Sequence, residues 1–144
     1  MINSFENYLK LGKAKKKTSD PEESKALSEK SKERLVYIKE KQIGRKNAKF
    51  ILEDAYEAVR EAAQALMSLK GYKPYSHEAT ISFVRDFYKS DFNDEEINKF
   101  DRFRQLRNDS VYKAVQITEE DAKDSLEFAK RFIGKIESIF KRKK

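Results

Sequence analysis

The segment from about Arg45 to Lys70 constrains the fold most strongly, because apolar residues recur in it at helical spacing without an interrupting glycine or proline. The main stripe consists of Ile51, Ala55, Ala58, Val59, Ala62, Leu66 and Leu69, and Phe50, Leu52, Tyr56, Ala63 and Met67 widen it. A helix with so broad an apolar face must be covered on several sides. The sequence therefore predicts a long central helix surrounded by other helices.

Cap residues divide the remaining chain into further helices. Helix starts are predicted at Asp20-Pro21, at Ser76, at Asn93 with Glu96, and at Thr118. Each start has a side chain that can accept a hydrogen bond from the first turn. Gly71 is the expected end of the central helix, because glycine readily adopts the left-handed conformation that ends many helices.

The composition supports the same fold class. Only 4 glycines and 2 prolines occur in 144 residues, and strand signals are nearly absent. We therefore expect an all-α protein, an antiparallel up-and-down bundle of about five helices. Residues 20–144 would form this bundle, and residues 1–19 would hold a short amphipathic helix and a basic linker.

Several chemistries are disfavoured by residue usage. The absence of cysteine excludes a disulfide framework and a thiol nucleophile, and a single histidine, His77, makes a zinc centre improbable. The Glu-x-x-His spacing of di-iron bundles is also missing. No apolar run approaches the length of a membrane span. We expect a soluble cytoplasmic protein without a metal ion or cofactor and without membrane contact.

The net charge of +7 favours contact with a polyanion. Positive charge is concentrated in a run of lysines at residues 13–17 and in a terminal run, Lys141 to Lys144. Both runs attract phosphate in a way that is independent of base sequence. The alternative is that both are solvated ends of the chain.

Arg107 stands out on the predicted fourth helix. Ile97, Phe100, Phe103 and Val111 form an apolar stripe, and the spacing of three and four residues places Arg107 in it. We therefore expect the Arg107 side chain to point inward, where a guanidinium needs a carboxylate, carbonyl groups or a bound phosphate. The alternatives are a structural ion pair and an arginine whose stem packs while its head reaches solvent.

Acidic residues on the central helix are candidate partners for these arginines. Asp54, Glu57 and Glu61 lie on one side of that helix. They form either a solvated acidic stripe or a partner for Arg104 or Arg107. Glu57 is the preferred partner, because a buried arginine without a carboxylate is costly.

The segment from Arg102 to Tyr112 concentrates arginines, an amide, a carboxylate, a hydroxyl and a phenol in three helical turns. A capped helix with Ala122, Leu126, Ala129, Phe132, Ile133 and Ile136 follows it. Together they resemble the C-terminal half of HEPN domains, which occur in prokaryotic toxin and nucleotidyltransferase-associated proteins. The N-terminal half is similar through Ala55, Glu57, Ala58, Ala62, Ala65, Leu66, Leu69, Gly71, Pro74 and His77. The resemblance extends from about Ala26 to Phe140.

The family's signature is an arginine, usually followed by a small polar residue, with a histidine about five positions later. Arg107 and Asn108 match its start, but Tyr112 stands where the histidine belongs. In ribonucleases of this family the arginine and histidine act without a metal, often across a homodimer interface. A phenol, with an ordinary pKa of about 10, is a poor general base near neutral pH.

The resemblance thus implies a non-catalytic or degenerate HEPN protein that binds a nucleotide or RNA phosphate, or a partner nucleotidyltransferase, and that forms a homodimer. The implied binding residues are Arg104, Arg107, Asn108, Asp109 and Tyr112, with Asp54, Glu57 and His77 in supporting roles. His77 resembles a structural or partner-contact residue of the family, and the alternative is that it supplies the missing imidazole from another helix. The alternative is a ribonuclease of a toxin–antitoxin system in which Arg107 and Tyr112 are catalytic. A third possibility is a bundle whose arginines form structural ion pairs only.

Overall fold

A computed structural model describes residues 2–142; Lys143 and Lys144, the end of the second basic run, lie outside the described residues. The helices are α1 Phe5–Lys10, α2 Pro21–Lys39, α3 Ala48–Lys70, α4 His77–Phe87, α5 Asp94–Lys113 and α6 Glu119–Arg142. Two short strands, β1 Ala14–Lys16 and β2 Tyr72–Pro74, pair with each other. The predicted helical bundle is confirmed. No helix among residues 2–142 combines the length and the apolar character that crossing a membrane requires.

The predicted start signals form the expected caps. The side chains of Asp20 and Ser76 accept hydrogen bonds from the backbone N–H groups of Glu23 and Ala79. Asn93 and Glu96 form a reciprocal capping box at the start of α5. These bonds satisfy amide groups that the first helical turn leaves unpaired, so they fix where each helix begins.

α3 is the central helix and packs against α2, α4, α5 and α6. Along its contact with α2, buried Ser24 and Ser31 donate hydrogen bonds to the carbonyl oxygens of Ala65 and Ala58, at 2.7 and 2.6 Å. These short side chains let the two helices approach closely. Against α5 and α6 the core is aromatic, because Tyr56 meets Phe100 and Phe100 meets Phe132 with ring centroids 6.0 and 5.2 Å apart.

The apolar stripe of α5 does not continue inward as expected. Phe100 and Phe103 are buried, but Arg107 is half-buried and Val111 is 44% exposed. The cause is the position of α6, whose first turn already lies beside Arg102 through an ion pair with Asp121 at 3.3 Å. Because α6 runs antiparallel to α5, the last two turns of α5 extend beyond it. The Arg107 side chain therefore lies at the edge of the core.

The segment expected to be a basic linker contains β1, which pairs antiparallel with β2. The Lys17 N–H donates to the Gly71 carbonyl at 2.8 Å. Gly71 ends α3 with a φ of 90°, and a Cβ there would lie only 2.6 Å from the Lys17 carbonyl oxygen. Glycine is thus required both by the left-handed conformation and by the close approach of the N-terminal segment. The division of the chain at residue 19 stays a prediction.

Candidate functional site

The direct contacts of the Arg107 side chain within residues 2–142 are with neutral groups. Its Nη1 donates to the side-chain oxygen of Asn108 at 3.2 Å, and its guanidinium carbon lies 6.0 Å from the centroid of the Tyr112 ring. It forms no ion pair with a carboxylate anywhere in residues 2–142. An arginine cannot lose its charge near neutral pH, so this half-buried guanidinium stays positively charged without a neutralising partner.

Two further arginines act electrostatically on the same residue, His77, as Arg107 does, and both are held by carboxylates. Arg60 of α3 pairs with Glu57, one turn before it on the same helix. Arg104 of α5 donates its Nε–H to Asp101 at 2.7 Å, and its Nη1 lies 3.9 Å from Glu78. We call Arg60, Arg104 and Arg107 the arginine cluster.

The predicted ion pair of Glu57 with Arg104 or Arg107 is wrong. Glu57 instead forms an ion pair with Arg60, because residues three apart on a helix are neighbours. Asp54 is not a partner of the cluster either. Like the buried Glu61, it pairs with Arg34 of α2, at 3.2 and 3.0 Å respectively. The acidic side of α3 thus mainly serves the contact with α2.

His77 lies at the start of α4 and stacks on Tyr56 of α3. The ring centroids are 5.6 Å apart with planes 9° from parallel, and the Tyr56 hydroxyl lies 2.8 Å from His77 Nδ1. Which of the two donates depends on the histidine tautomer. This contact fixes the imidazole against the central helix at the edge of the arginine cluster.

The charges of the arginine cluster affect the pKa values of both His77 and Tyr56. Burial lowers the pKa of His77, and the charges of Arg60, Arg107 and Arg104 lower it further against the opposing effect of Glu57. Burial raises the pKa of Tyr56, with the same arginines opposing the rise. The imidazole is therefore neutral near pH 7, and all three guanidinium groups lie within electrostatic reach of it.

Glu57 responds to the same charges. Burial acts to raise its pKa, but the hydrogen bond from Arg60 and the charges of Arg60, Arg34 and Arg107 outweigh burial and bring the pKa below its usual value. Glu57 thus remains ionised, and its direct ion pair is with Arg60. Arg107 interacts with Glu57 only at a distance, through its charge, and forms no ion pair in residues 2–142.

The other predicted site residues lie on the last turns of α5. Tyr112 is 75% exposed, so its hydroxyl lies in solvent and not in a closed cleft. Asp109 pairs with Lys113 at 3.6 Å, and Ser110 donates to Glu53 of α3 at 2.8 Å. The structure therefore brings Arg107, Asn108 and Tyr112 together but gives Asp109 a partner outside the arginine cluster.

Sequence reasoning missed Tyr56 and Arg60. Their signal was present, because they are four residues apart and Arg60 directly follows the buried Val59 in the most apolar helix. A charged residue at that position, like Arg107, indicates a site where a guanidinium meets the edge of the core. Within the described residues, no group of three His, Asp or Glu side chains is placed to hold a metal ion.

Comparison with known proteins gives one match. The family model described as HEPN domain matches residues 24–139, from α2 to the last turn of α6. No curated protein and no solved structure matches the chain. The matched region contains every residue of the arginine cluster, whereas α1 and β1 lie before it.

Proposed function

Since the chain belongs to the HEPN domain family, we propose that it is a non-catalytic member that binds the phosphate of a nucleotide or of RNA at the arginine cluster. The observation that carries this proposal is the state of Arg107, a half-buried cation whose contacts within residues 2–142 are an amide oxygen and a phenol ring. An arginine in this state offers paired donors to phosphate oxygens.

The neighbouring arginines support the same ligand. Arg60 and Arg104 are oriented by carboxylates of their own helices and still act on His77 through their charge. A phosphate at Arg107 would therefore meet additional positive charge. The neutral imidazole of His77 can donate or accept a hydrogen bond there without adding repulsion.

The ribonuclease alternative is favoured by one observation, the position of His77. A neutral imidazole within electrostatic reach of Arg107 is chemically able to accept a proton from a ribose hydroxyl. Its Nδ1 contacts Tyr56, which leaves Nε2 as the nitrogen available for such a step. In this second candidate His77 would take the place of the signature histidine that Tyr112 replaces.

A homodimer or a complex with a minimal nucleotidyltransferase would complete the site. HEPN domains often dimerise, and the end of α5 exposes Val111, Tyr112 and Val115 at 44, 75 and 45%. Exposed apolar and aromatic side chains next to a polar site are typical of interaction surfaces. We propose the homodimer, with the same face closing over Arg107, as the state that binds phosphate.

The binding proposal is tested with a fluorescently labelled dinucleotide, wild-type protein and Arg107→Ala. We expect the substitution to weaken binding about tenfold or more, because charge-assisted hydrogen bonds contribute about 1.5–3 kcal/mol. Arg131→Ala, which removes an exposed arginine of α6, is the matched control and should bind like wild type. Equal weakening by both substitutions would mean that only overall charge matters.

The catalytic question is answered by incubating labelled RNA with the protein in the presence of a metal chelator. We expect no cleavage by wild type and cleavage gained by Tyr112→His. Cleavage by wild type that is lost in both Arg107→Ala and His77→Ala would contradict the non-catalytic proposal and establish His77 as the base. Sedimentation of wild type and Tyr112→Glu tests the dimer, which the added charge should dissociate.

A further inference from the structure

A basic, partly aromatic ribbon joins β1, which lies before the family match, to β2, which lies within it. We define the lysine ribbon as β1 and β2 with the flanking residues Lys13 and Tyr75. β1 pairs with β2 in the register that places Lys15 opposite Lys73, and the Tyr75 N–H donates to the Lys13 carbonyl at 2.8 Å. The ribbon thus attaches the N-terminal segment to the chain just before α4.

The two faces of the ribbon differ. On the inner face Ala14 is 3% exposed, and Tyr72 packs edge-on against Phe5 with ring centroids 5.1 Å apart. Because side chains alternate along a strand, the residues next to these in sequence share the opposite face. The outer face consists of Lys13, Lys15, Lys73 and Tyr75.

The charges of the ribbon are not neutralised within the described chain. Lys13, Lys15, Lys16 and Lys73 are exposed and form no ion pair with a carboxylate in residues 2–142. In contrast, Arg142 of the second basic run pairs with Asp91 at 2.9 Å. Like charges directly opposite each other in a sheet are destabilising, so the pairing of Lys15 with Lys73 lowers the stability of the fold. An anion bound over the two lysines would offset this repulsion.

An exposed aromatic ring accompanies these charges. Tyr75 is 55% exposed, and the Nζ of Lys73 lies 5.6 Å from its ring centroid. Positive groups that follow a phosphate backbone, together with an aromatic ring on which a base can stack, are the elements of single-strand recognition. A membrane surface would use the lysines but would not need an isolated ring among them.

The ribbon also ends at the arginine cluster. Tyr75 precedes His77 by two residues, so their Cα atoms lie at most about 7 Å apart. A strand lying along the outer face in the direction of α4 therefore reaches the edge of the proposed phosphate site.

We propose that the lysine ribbon binds the backbone of a single-stranded nucleic acid, with Tyr75 stacking on an unpaired base, and directs the strand toward Arg107. The direction toward Arg107 rests on the proposed function, whereas binding to the ribbon does not. RNA and DNA share the chemistry that the ribbon recognises, so both are used in the test.

The test measures fluorescence anisotropy of labelled oligouridylate and oligothymidylate of about twelve nucleotides between about 50 and 200 mM salt. The ribbon variant combines Lys13→Gln, Lys15→Gln and Lys73→Gln. We expect about tenfold weaker binding or more, and a salt dependence whose slope falls by about 2, because each single-strand contact contributes about 0.7.

The matched control removes the same charge elsewhere, with Lys32→Gln, Lys39→Gln and Lys123→Gln at exposed positions of α2 and α6. It should bind nearly like wild type, and equal weakening by both triple variants would overturn the inference. A charge-preserving variant, Lys15→Arg with Lys73→Arg, should retain binding. Thermal melting followed by circular dichroism identifies any variant that loses its fold. If the triple glutamine variant does, Lys73→Gln alone replaces it and should still bind more weakly than wild type, and an unchanged affinity would overturn the inference.

The stacking role is tested separately by Tyr75→Ala against Tyr37→Ala. Tyr37 is a matched control, because it is 57% exposed on α2 and has the Lys41 Nζ 4.2 Å from its ring centroid. We expect Tyr75→Ala to weaken single-strand binding about tenfold. An unchanged affinity would remove Tyr75 from the proposal.

The two proposals fail in distinguishable ways. A labelled dinucleotide is too short to cover the ribbon and reports the arginine cluster alone. If it binds while the ribbon variant holds the long oligonucleotides like wild type, the ribbon inference is overturned and the proposed function stands. If only the long oligonucleotides bind, and the ribbon variant loses them, the ribbon is supported and the phosphate site fails. Binding to phosphatidylserine vesicles without any binding to oligonucleotides would also overturn the inference.

Discussion

Arg34 and Arg107 both lie beside α3, but they have opposite surroundings. Arg34 donates two hydrogen bonds to Glu61, at 3.0 and 3.1 Å, and a third to Asp54 at 3.2 Å. Glu61 is only 2% exposed, and its hydrogen bond is the main cause that raises the pKa of Arg34. Arg107 has an amide oxygen and a phenol ring. The first arginine is saturated by carboxylates, whereas the second has no ion pair with a carboxylate in residues 2–142.

A sequence rich in arginines and acids thus contains arginines that pair with carboxylates, as Arg34 does, and arginines that form no such pair among the described residues, as Arg107 does. Arg34 fits the alternative in which the arginines of the bundle form structural ion pairs only. That alternative does not describe Arg107, because no carboxylate in the described part of the chain approaches it within ion-pair distance. Asp54 and Glu61 of α3 pair with Arg34, and Glu57 pairs with Arg60.

The largest expected effect separates the two arginines by stability. Arg34→Ala should lower the free energy of unfolding by about 3 kcal/mol, because it leaves the buried Glu61 carboxylate with Lys30 alone, at 3.6 Å. Arg107→Ala should change it by less than about 1 kcal/mol, since no buried charge loses its partner. Urea unfolding of both variants measures the difference. Equal losses would make Arg107 a structural residue.

A smaller effect is expected when Arg107 receives a carboxylate. Asn108→Asp places an acid where the amide oxygen now lies 3.2 Å from Nη1. The new ion pair should weaken dinucleotide binding about fivefold, because an exposed pair contributes up to about 1 kcal/mol that phosphate must overcome. Calorimetric titration measures the change, and Asp54→Asn, at a carboxylate of the Arg34 site, should leave binding unaltered.

The pH dependence of stability is a weaker test of how burial and the charges of the arginine cluster act on His77. The pKa of His77 is lower in the folded protein than its usual value, so its contribution to stability is fully present above the unfolded-state pKa of about 6.5 and is lost as the pH falls from there through the lower folded-state pKa. Between about pH 7.5 and 5.5, wild type should lose up to about 1 kcal/mol more than His77→Gln, because solvent screens the half-buried ring. Equal losses would contradict the lowered pKa.

The smallest effect is a shift in the titration of one proton signal. His77 is the only histidine in the sequence, so its imidazole resonance can be followed without assignment by mutation. Adding inorganic phosphate should raise the pKa of His77, because the anion offsets the charges of Arg60, Arg104 and Arg107. Arg107→Ala should raise this pKa without phosphate and abolish the further rise.

Much of the bundle follows from local signals. Asp20, Ser76 and Asn93 are caps because their side chains reach amide groups only a few residues away. Gly71 ends α3 for an equally local reason. The HEPN resemblance was visible for a related reason, since it depends on residue spacing within helices, and the family match confirms it over residues 24–139.

The charged contacts were less predictable. Four acids on α3 and several arginines permit many pairings, and the distances in the folded structure select among them. Glu57 was assigned to α5 by sequence reasoning but pairs with Arg60 of its own helix. The sequence predicts a linker where β1 forms, because a three-residue strand rich in lysine has almost no strand signal without β2 beside it.

The helical class, the caps and the family can be read from the sequence alone, because these depend on interactions between residues close along the chain. The packing of the helices sets the extension of α5 past the start of α6, which leaves Arg107 at the edge of the core. The tertiary structure also sets the pairing of β1 with β2 and the contact of His77 with Tyr56 beside the arginine cluster. Such contacts join residues far apart in sequence, and their geometry is fixed by how whole helices pack.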